Sequence, residues 1–196
     1  MKDIGRIRES IITAAAALFE RYGYEKSSMD EIARGAYRAK TSIYYHFKSK
    51  QEILGEILSR EFSGISEKLG EIKNRESDNR GIQLRTYLSA RMKLLRDTRI
   101  YRHYIAVPAA NIPSEVSEVI GPLRSRFDEE ELDYFRLACR EGIAEHVIAP
   151  RVDPDAFSRM LQVTLRGLEI QMFSSEKYET IKETYEAMLE FIIRKK

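Results

Sequence analysis

The sequence predicts an all-α protein. Apolar residues recur at intervals of three and four along almost all of its 196 residues, which is the spacing that lines one face of an α-helix. Helix start and stop signals divide this pattern into segments, and no segment alternates apolar and polar residues as a half-buried strand does. The hydrophobic content of 43% is enough to fill a core, and it excludes disordered and collagen-like chains.

The first helix is predicted over residues 4–22. Its apolar face is made of residues three and four apart, namely Ile7, Ile11, Ala15, Leu18 and Tyr22. Gly23 is suited to end it, because glycine adopts the left-handed conformation that closes many helices. The apolar run 11–19 is followed by Glu20-Arg21 instead of a small-residue cleavage site, so we expect an amphipathic helix and not an export signal.

Two capping boxes mark the starts of the next helices. Ser28 with Glu31 opens a short helix through about Gly35, and Ser49 with Glu52 opens a longer helix toward Leu69. The thirteen residues between them leave room for a turn and one short helix over about 39–47. The amino-terminal region is therefore predicted to contain three helices, from which a long fourth helix leads away.

The rest of the chain is predicted to be a larger helical bundle. A polar loop at 74–80 precedes it, Asp153-Pro154 is a strong helix start, and Gly121-Pro122 predicts an interruption. The expected helices span about 84–95, 100–107, 114–120, 127–139, 154–172 and 178–192. The total is nine or ten helices, without an internal repeat.

Charge is unevenly distributed along the chain. Residues 1–50 hold ten Lys/Arg against six Asp/Glu, whereas the remainder holds 23 against 25. This asymmetry fits an amino-terminal region that meets a polyanion, although it also fits an ordinary solvated surface. The longest stretch without a charged residue has twelve residues, so no membrane span is expected. The single cysteine, Cys139, allows no intrachain disulfide, which fits the cytoplasm.

Two short helices after a longer one make a candidate helix-turn-helix, whose second helix enters the major groove of DNA. In the predicted helix 39–47, Ile43 and Phe47 lie four residues apart and face the core. An outer face of hydroxyls, aromatic rings and one lysine remains, which suits phosphates and base edges. Its members are Lys40, Thr41, Ser42, Tyr44, Tyr45 and His46, and Lys48 and Lys50 follow. Considered without the flanking motif, this aromatic cluster also fits simple packing.

Residues 8–54 resemble the DNA-binding domain of the TetR family of bacterial repressors. The resemblance rests on the helix 12–19, on Ser28-Met29-Asp30-Glu31-Ile32-Ala33 and, most specifically, on Ser42-Ile43-Tyr44-Tyr45-His46-Phe47-Lys48-Ser49-Lys50. The body is similar in layout only, through Gly142, residues 153–157 and Gly167-Leu168. Where the family usually has a glycine, an aliphatic residue and a capping serine, this chain has Tyr37, Arg38 and Ala39. Tyr37 implies strain or a different turn, and Ala39 cannot cap a helix through its side chain.

The resemblance implies a ligand-responsive transcriptional regulator, most commonly a repressor, that binds a palindromic operator as a homodimer. Residues 1–48 are the DNA-binding domain, and 49–196 bind the effector and dimerise through about 125–142 and 154–173. Lys40, Thr41 and Ser42 face base edges. The expected phosphate contacts are Ser28, Tyr44, Tyr45, His46 and Lys50, and Arg38 is a further candidate. A small effector tilts the fourth helix and releases the DNA.

The effector is expected to be hydrophobic or aromatic, because the body is rich in such residues. The candidate pocket residues are Met92, Leu95, Tyr101, His103, Tyr104, Phe127, Phe135, Met160 and Thr164. Ordinary core packing is the alternative for this whole set, since apolar stripes at helical spacing more often form core.

The alternative is an all-α ligand-binding protein or enzyme whose amino-terminal helices no longer recognise DNA. Against an enzyme, the sequence lacks a His-Glu-x-x-His motif, a phosphate loop, a dinucleotide-binding glycine pattern and a cysteine pair. We therefore expect no catalytic residue, no metal site and no cofactor. The expected partners are double-stranded DNA, a small-molecule effector and a second copy of the chain.

Overall fold

The computed structural model describes residues 2–75, 79–174 and 178–192, which fold into nine α-helices and one 3-10 turn and contain no strand. The helices are α1 (Lys2–Tyr22), α2 (Met29–Gly35), α3 (Lys40–His46), α4 (Lys50–Lys73), α5 (Arg80–Arg96), α6 (Arg102–Ile105), α7 (Ser114–Ala144), α8 (Pro154–Phe173) and α9 (Tyr178–Ile192), and the 3-10 turn is Ala109–Asn111. The all-α prediction is confirmed. No helix in the described ranges is long and apolar enough to cross a membrane.

The amino-terminal helices begin and end close to the predicted positions. Gly23 adopts a φ of 84° after α1, and both members of the capping box before α2 bond as expected between Ser28 and Glu31. Ala39 precedes α3 without any side-chain cap. The first turn of α3 therefore leaves backbone N–H groups without a capping partner, which is where an external acceptor can bind.

Helix α4 connects the amino-terminal helices to the body. Its start is capped by the Ser49 hydroxyl, which accepts from the Glu52 N–H at 3.1 Å. Glu56 pairs with Arg8 of α1 at 2.8 Å, and its neighbour Arg60 pairs with Glu9 at 2.6 Å. Helix α4 also packs against α5 and α7 in the body, so one continuous helix contacts both parts of the molecule.

Helix α7 is unbroken, so the predicted interruption at Gly121-Pro122 is wrong. Proline removes the N–H that would bond to the carbonyl of Glu118, but Gly121 and Pro122 face solvent, where water can satisfy that carbonyl. Ile120 and Phe127, on either side, are both buried. Their packing into one core holds the two halves of the helix in line, and tertiary contacts override the local signal.

A charge network lies inside the body. Arg91 of α5 is within 2.6 Å of Glu131 and 2.5 Å of Glu169, measured between nitrogen and oxygen atoms. Arg124 of α7 donates two bonds to Glu169 of α8, at 2.8 and 3.1 Å, and a third to the Tyr101 hydroxyl at 3.0 Å. All five side chains are almost completely buried. The network therefore joins α5, α7 and α8 to the segment just before α6.

Glu169 and the two arginines of this network are charged. Burial alone would raise the pKa of Glu169, but Arg91 and Arg124 more than offset it and bring that pKa below its ordinary value. Burial opposes the charge of Arg91 in the same way, and the two carboxylates raise its pKa well above the usual range. Loss of Arg91 would leave the Glu131 carboxylate buried without a paired cation among the described residues, whereas Glu169 would keep Arg124 as its partner.

Candidate nucleic-acid interface and effector cavity

Helices α2 and α3 form a helix-turn-helix around a shared apolar core. Ile32 and Ala33 of α2 are buried with Ile43 of α3, and Phe47 is buried just after α3. The Arg8 guanidinium lies 4.2 Å from the centre of the Phe47 ring and thereby holds the end of α3 against α1. The inward orientation that the sequence predicts for Ile43 and Phe47 is confirmed.

The opposite side of α3 faces solvent. The residues that the sequence places there all lie at or near the surface: Lys40, Thr41, Tyr44 and Tyr45 are exposed, and Ser42 and His46 are half-buried. The Tyr45 and His46 rings meet edge to face, with centroids 5.2 Å apart. No carboxylate occurs between Ala36 and Lys48 in the sequence. Helix α3 itself therefore carries no anionic side chain and can donate hydrogen bonds to an anionic polymer.

Lys40, at the start of α3, forms an ion pair with Asp30 of α2. Its Nζ lies 2.9 Å from a carboxylate oxygen of Asp30, and the hydrogen bond to Asp30 raises the pKa of Lys40. Both side chains are largely exposed, so this pair contributes little to stability. The lysine remains charged and can exchange Asp30 for another acceptor.

Ser28 and Lys50 are held by the protein itself. The Ser28 hydroxyl donates to the Glu31 carboxylate at 2.8 Å, while Lys50 Nζ donates to the carbonyls of Tyr24 and Ser27 at 2.8 and 2.9 Å. Lys50 Nζ also lies 4.1 Å from the centre of the Tyr24 ring. The structure thus gives Lys50 a supporting role in the α1–α2 loop that the sequence did not predict, with one N–H left for a phosphate.

The turn between α2 and α3 keeps a glycine-type shape despite its sequence. Tyr37 has a φ of 54°, and its N–H donates to the Arg34 carbonyl at 3.1 Å. The next N–H, of Arg38, donates to the Ala33 carbonyl at 2.9 Å, which completes a Schellman motif. The turn therefore keeps its usual shape with Tyr37 in a strained conformation, and this strain costs about 1 kcal/mol of folding free energy. The Arg38 side chain is exposed beside it.

Contacts of two glutamates connect the amino-terminal helices to α6. The Glu61 carboxylate of α4 accepts the backbone N–H groups of residues 99–101 at 2.8 to 2.9 Å. Glu20 of α1 pairs with the side chains of Arg99, at 2.6 Å, and Arg102, at 3.2 Å. The start of α6 is thus attached to both α1 and α4.

A cavity of about 590 Å³ lies between α6, the 3-10 turn, α7 and α8. One part of its wall is polar and consists of Tyr101, Arg124, Ser125, Arg166 and Glu169. The remainder is mainly apolar and includes Tyr104, Ile105, Val107, Ile112, Ile120 and Ile170. Such a wall suits a molecule with an apolar body and one polar group.

Two of the predicted pocket residues, Tyr101 and Tyr104, line this cavity. His103, on another side of α6, lines a separate depression with Arg96 and Arg102, and Phe127 lines a small depression beside Phe62. The other predicted residues lie elsewhere: Met92, Leu95 and Phe135 are in the core, Met160 is exposed, and the Thr164 hydroxyl donates to the Met160 carbonyl. Helical periodicity finds buried stripes, but it does not separate core from cavity wall.

An apolar strip runs along the outside of α8. Met160, Val163 and Ile170 are exposed on it, with Val163 at 72%, and Leu137 is an exposed apolar residue of α7. Gly167 lies between Val163 and Ile170 in sequence, and among the described residues no atom beyond its chain neighbours and the adjacent backbone of α8 comes within 4 Å of where its Cβ would be. This strip is open to another chain.

Residues 11–57 match the family model described as bacterial regulatory proteins, tetR family. Over 56 residues the chain is 41% identical to the A-factor receptor protein of Streptomyces griseus, covering 29% of this chain and 20% of that protein. Over 47 residues it is 40% identical to IcaR of Staphylococcus aureus, the HTH-type negative transcriptional regulator of the icaADBC biofilm operon, covering 24% and 25%. The chain thus matches only a fifth to a quarter of the length of these curated relatives.

Two solved structures are similar over nearly the whole chain. The complex of SmeT with triclosan has a TM-score of 0.72 at 21% identity and covers 95% of this chain and 90% of that one; SmeT is the repressor of the SmeDEF multidrug efflux pump of Stenotrophomonas maltophilia. FadR of Bacillus subtilis with stearoyl-CoA has a TM-score of 0.68 at 20% identity and covers 95% and 97%. At these identities the likeness establishes the fold of the body.

The different surroundings of two lysines predict different effects on stability. Lys50→Ala removes two hydrogen bonds and a cation–π contact, so we expect the free energy of unfolding to fall by about 1 to 2 kcal/mol. Lys48→Ala is the matched control, because the Lys48 side chain is exposed, and we expect it to leave stability within about 0.5 kcal/mol of wild type. Urea unfolding measures both, and equal stability of the two variants would contradict the supporting role of Lys50.

Proposed function

We propose, from the match of residues 11–57 to the model of the tetR family of bacterial regulatory proteins, that this chain is a ligand-responsive transcriptional repressor of that family. The observation that carries this proposal is the outer face of α3, which is exposed, aromatic, hydroxyl-rich and free of carboxylates. The repressor binds a palindromic operator in the cytoplasm as a homodimer and is released by a small molecule. It is a binding protein and not an enzyme.

The proposed division of the chain assigns residues 1–48 to DNA binding and 49–196 to the effector and the dimer. Helix α3 enters the major groove, where residues at its amino-terminal end reach base edges. These base-reading residues are Lys40, Thr41 and Ser42. The phosphate contacts are Arg38, Tyr44, Tyr45, His46 and Lys48. Ser28 and Lys50 lie at the edge of this surface and mainly hold the α1–α2 loop that supports it.

The proposed effector has an apolar or aromatic body and one acidic or phenolic group. The lining of the cavity supports this choice, because Tyr101, Arg124 and Arg166 form part of its wall beside a larger apolar surface. The similar SmeT and FadR structures are complexes with triclosan and stearoyl-CoA, both of which combine a large apolar part with a polar part. An effector in this cavity contacts residues next to the attachment of α6 to α4.

The proposed homodimer forms through the apolar strip on α8 and the neighbouring part of α7. Exposed Met160, Val163 and Ile170 cost free energy in water and are covered in a dimer. The glycine between them, Gly167, lets a second backbone approach closely. Two-fold symmetry of the dimer matches the two halves of a palindromic operator.

The proposed DNA binding is tested by fluorescence anisotropy against the DNA that flanks the gene, with a shuffled duplex as control. We expect preference for the flanking DNA and a loss of at least about a hundredfold in affinity between roughly 50 and 200 mM salt, because phosphate contacts release counterions. Tyr44→Ala should weaken binding about tenfold. Tyr22→Ala, a similarly exposed tyrosine at the end of α1, should not. Absence of binding at low salt would overturn the function.

Filling the cavity should block the response to effector. Gly121 lines the cavity in α7 with open space at its Cβ position, so Gly121→Leu places a side chain there without breaking the helix. Decanoate and triclosan should raise the melting temperature of wild type by about 2 °C or more and release operator DNA, with both effects reduced in the variant. Gly64→Leu, in α4 and away from the cavity, is the control. Equal responses of all three proteins would place the site elsewhere.

Dimerisation should fail when charge is placed on the α8 strip. Val163→Glu buries a carboxylate in the proposed interface, so we expect the dissociation constant of the dimer to rise by about tenfold or more relative to wild type. Sedimentation velocity over a concentration series measures it, together with operator affinity. Ile82→Glu, an exposed apolar position on α5, is the control. A Val163→Glu protein that remains as dimeric as the control would exclude this interface.

A further inference from the structure

The side chain of Tyr37 projects into solvent from the turn between α2 and α3. It is 92% exposed, the most exposed large hydrophobic side chain among the described residues, and it makes no hydrogen bond or ring contact there. Its backbone nevertheless adopts a φ of 54°, a region that favours glycine and in which a tyrosine is strained. Folding alone would therefore be better served by glycine or asparagine at this position.

The position of Tyr37 gives the side chain a use outside the chain. It lies three residues before the first residue of α3, so it stands beside the end of α3 that reads base edges. The exposed side chains of Arg34, Arg38 and Lys40 surround it in sequence and make this turn positively charged. A phenol in such a place can lay its ring along a deoxyribose and donate its hydroxyl to a phosphate.

We propose that Tyr37 binds the DNA backbone at the edge of the major groove, where its hydroxyl donates to a phosphate oxygen and fixes the register of α3. This rests on the proposed function, since it requires that α3 enters the groove. The contact is independent of base sequence, so it strengthens binding to operator and non-operator duplexes alike. Binding to DNA then offsets the backbone strain that the free protein retains.

The test combines three variants of Tyr37 with measurements of stability and of DNA affinity. Tyr37→Asn keeps an ordered residue that tolerates the left-handed region, Tyr37→Gly removes the strain entirely, and Tyr37→Phe removes only the hydroxyl. We expect the asparagine and glycine variants to melt at or above the wild-type temperature, by up to about 4 °C. All three should bind the operator about tenfold more weakly, because a charge-assisted hydrogen bond is lost.

His146 supplies a matched control at the other end of the molecule. It is also exposed, has a φ of 59°, and closes α7 with the same motif, in which the Val147 N–H donates to the Gly142 carbonyl at 2.9 Å. His146→Gly relieves strain of the same kind far along the chain from α3. It should raise the melting temperature as Tyr37→Gly does and leave DNA affinity within about twofold of wild type.

The outcomes separate this inference from the proposed function. If wild type binds the operator and the Tyr37 variants bind it equally well, Tyr37 is not a DNA contact and the proposed function stands. If Tyr37→Phe alone binds like wild type, the hydroxyl–phosphate bond is overturned. If wild type binds no duplex at low salt, the proposed function fails and this contact fails with it. Loss in all three variants, with His146→Gly unaffected, supports the contact.

Discussion

The buried pairing of Arg91 and Arg124 with Glu131 and Glu169 is the constraint on which the body of the protein depends. Burying any of these charged side chains without a partner would cost several kcal/mol. Burial is tolerated because each one is paired with an opposite charge on another helix. The close-packed apolar core holds α5, α7 and α8 together, and the ion pairs add directional contacts between these three helices.

The cavity and the start of α6 take their positions from this network. Arg124 bonds to the Tyr101 hydroxyl, and Arg124 and Glu169 form part of the cavity wall. A molecule that enters the cavity therefore meets charges that already have partners, and it binds by sharing or replacing some of those bonds. Because the same charges hold α7 and α8 together, exchange of partners in the cavity alters the packing of the helices around it. This makes the network itself sensitive to occupancy.

The sequence predicted local features well and long-range ones poorly. The capping box at Ser28, the end of α1 at Gly23 and the outward face of α3 depend on residues a few positions apart, and all form as predicted. Half of the capping box predicted before α4 forms, through the Ser49 hydroxyl, whereas the Glu52 carboxylate accepts from the Lys48 N–H instead of the Ser49 N–H. The continuity of α7 through Pro122 does not depend on local residues, since packing on either side decides it. The cavity wall likewise joins residues 101 to 170, and the partners of Lys50 lie more than twenty residues away. The spacing of residues along one helix carries no information about the cavity wall or about the partners of Lys50.

The attachments of α4 determine what kind of motion can connect the two ends of the molecule. Glu56 and Arg60 bind α1 within two turns of Glu61, which binds the segment before α6. Glu20 ties α1 to that same segment through Arg99. A displacement of α6 is therefore passed to α1 and α4 together, which favours rotation of the three amino-terminal helices as one body over bending of α4. In the proposed dimer such a rotation changes the separation of the two α3 helices, and half-sites about 34 Å apart tolerate little change. If the proposed function holds, we therefore expect small movements at the cavity to alter DNA binding.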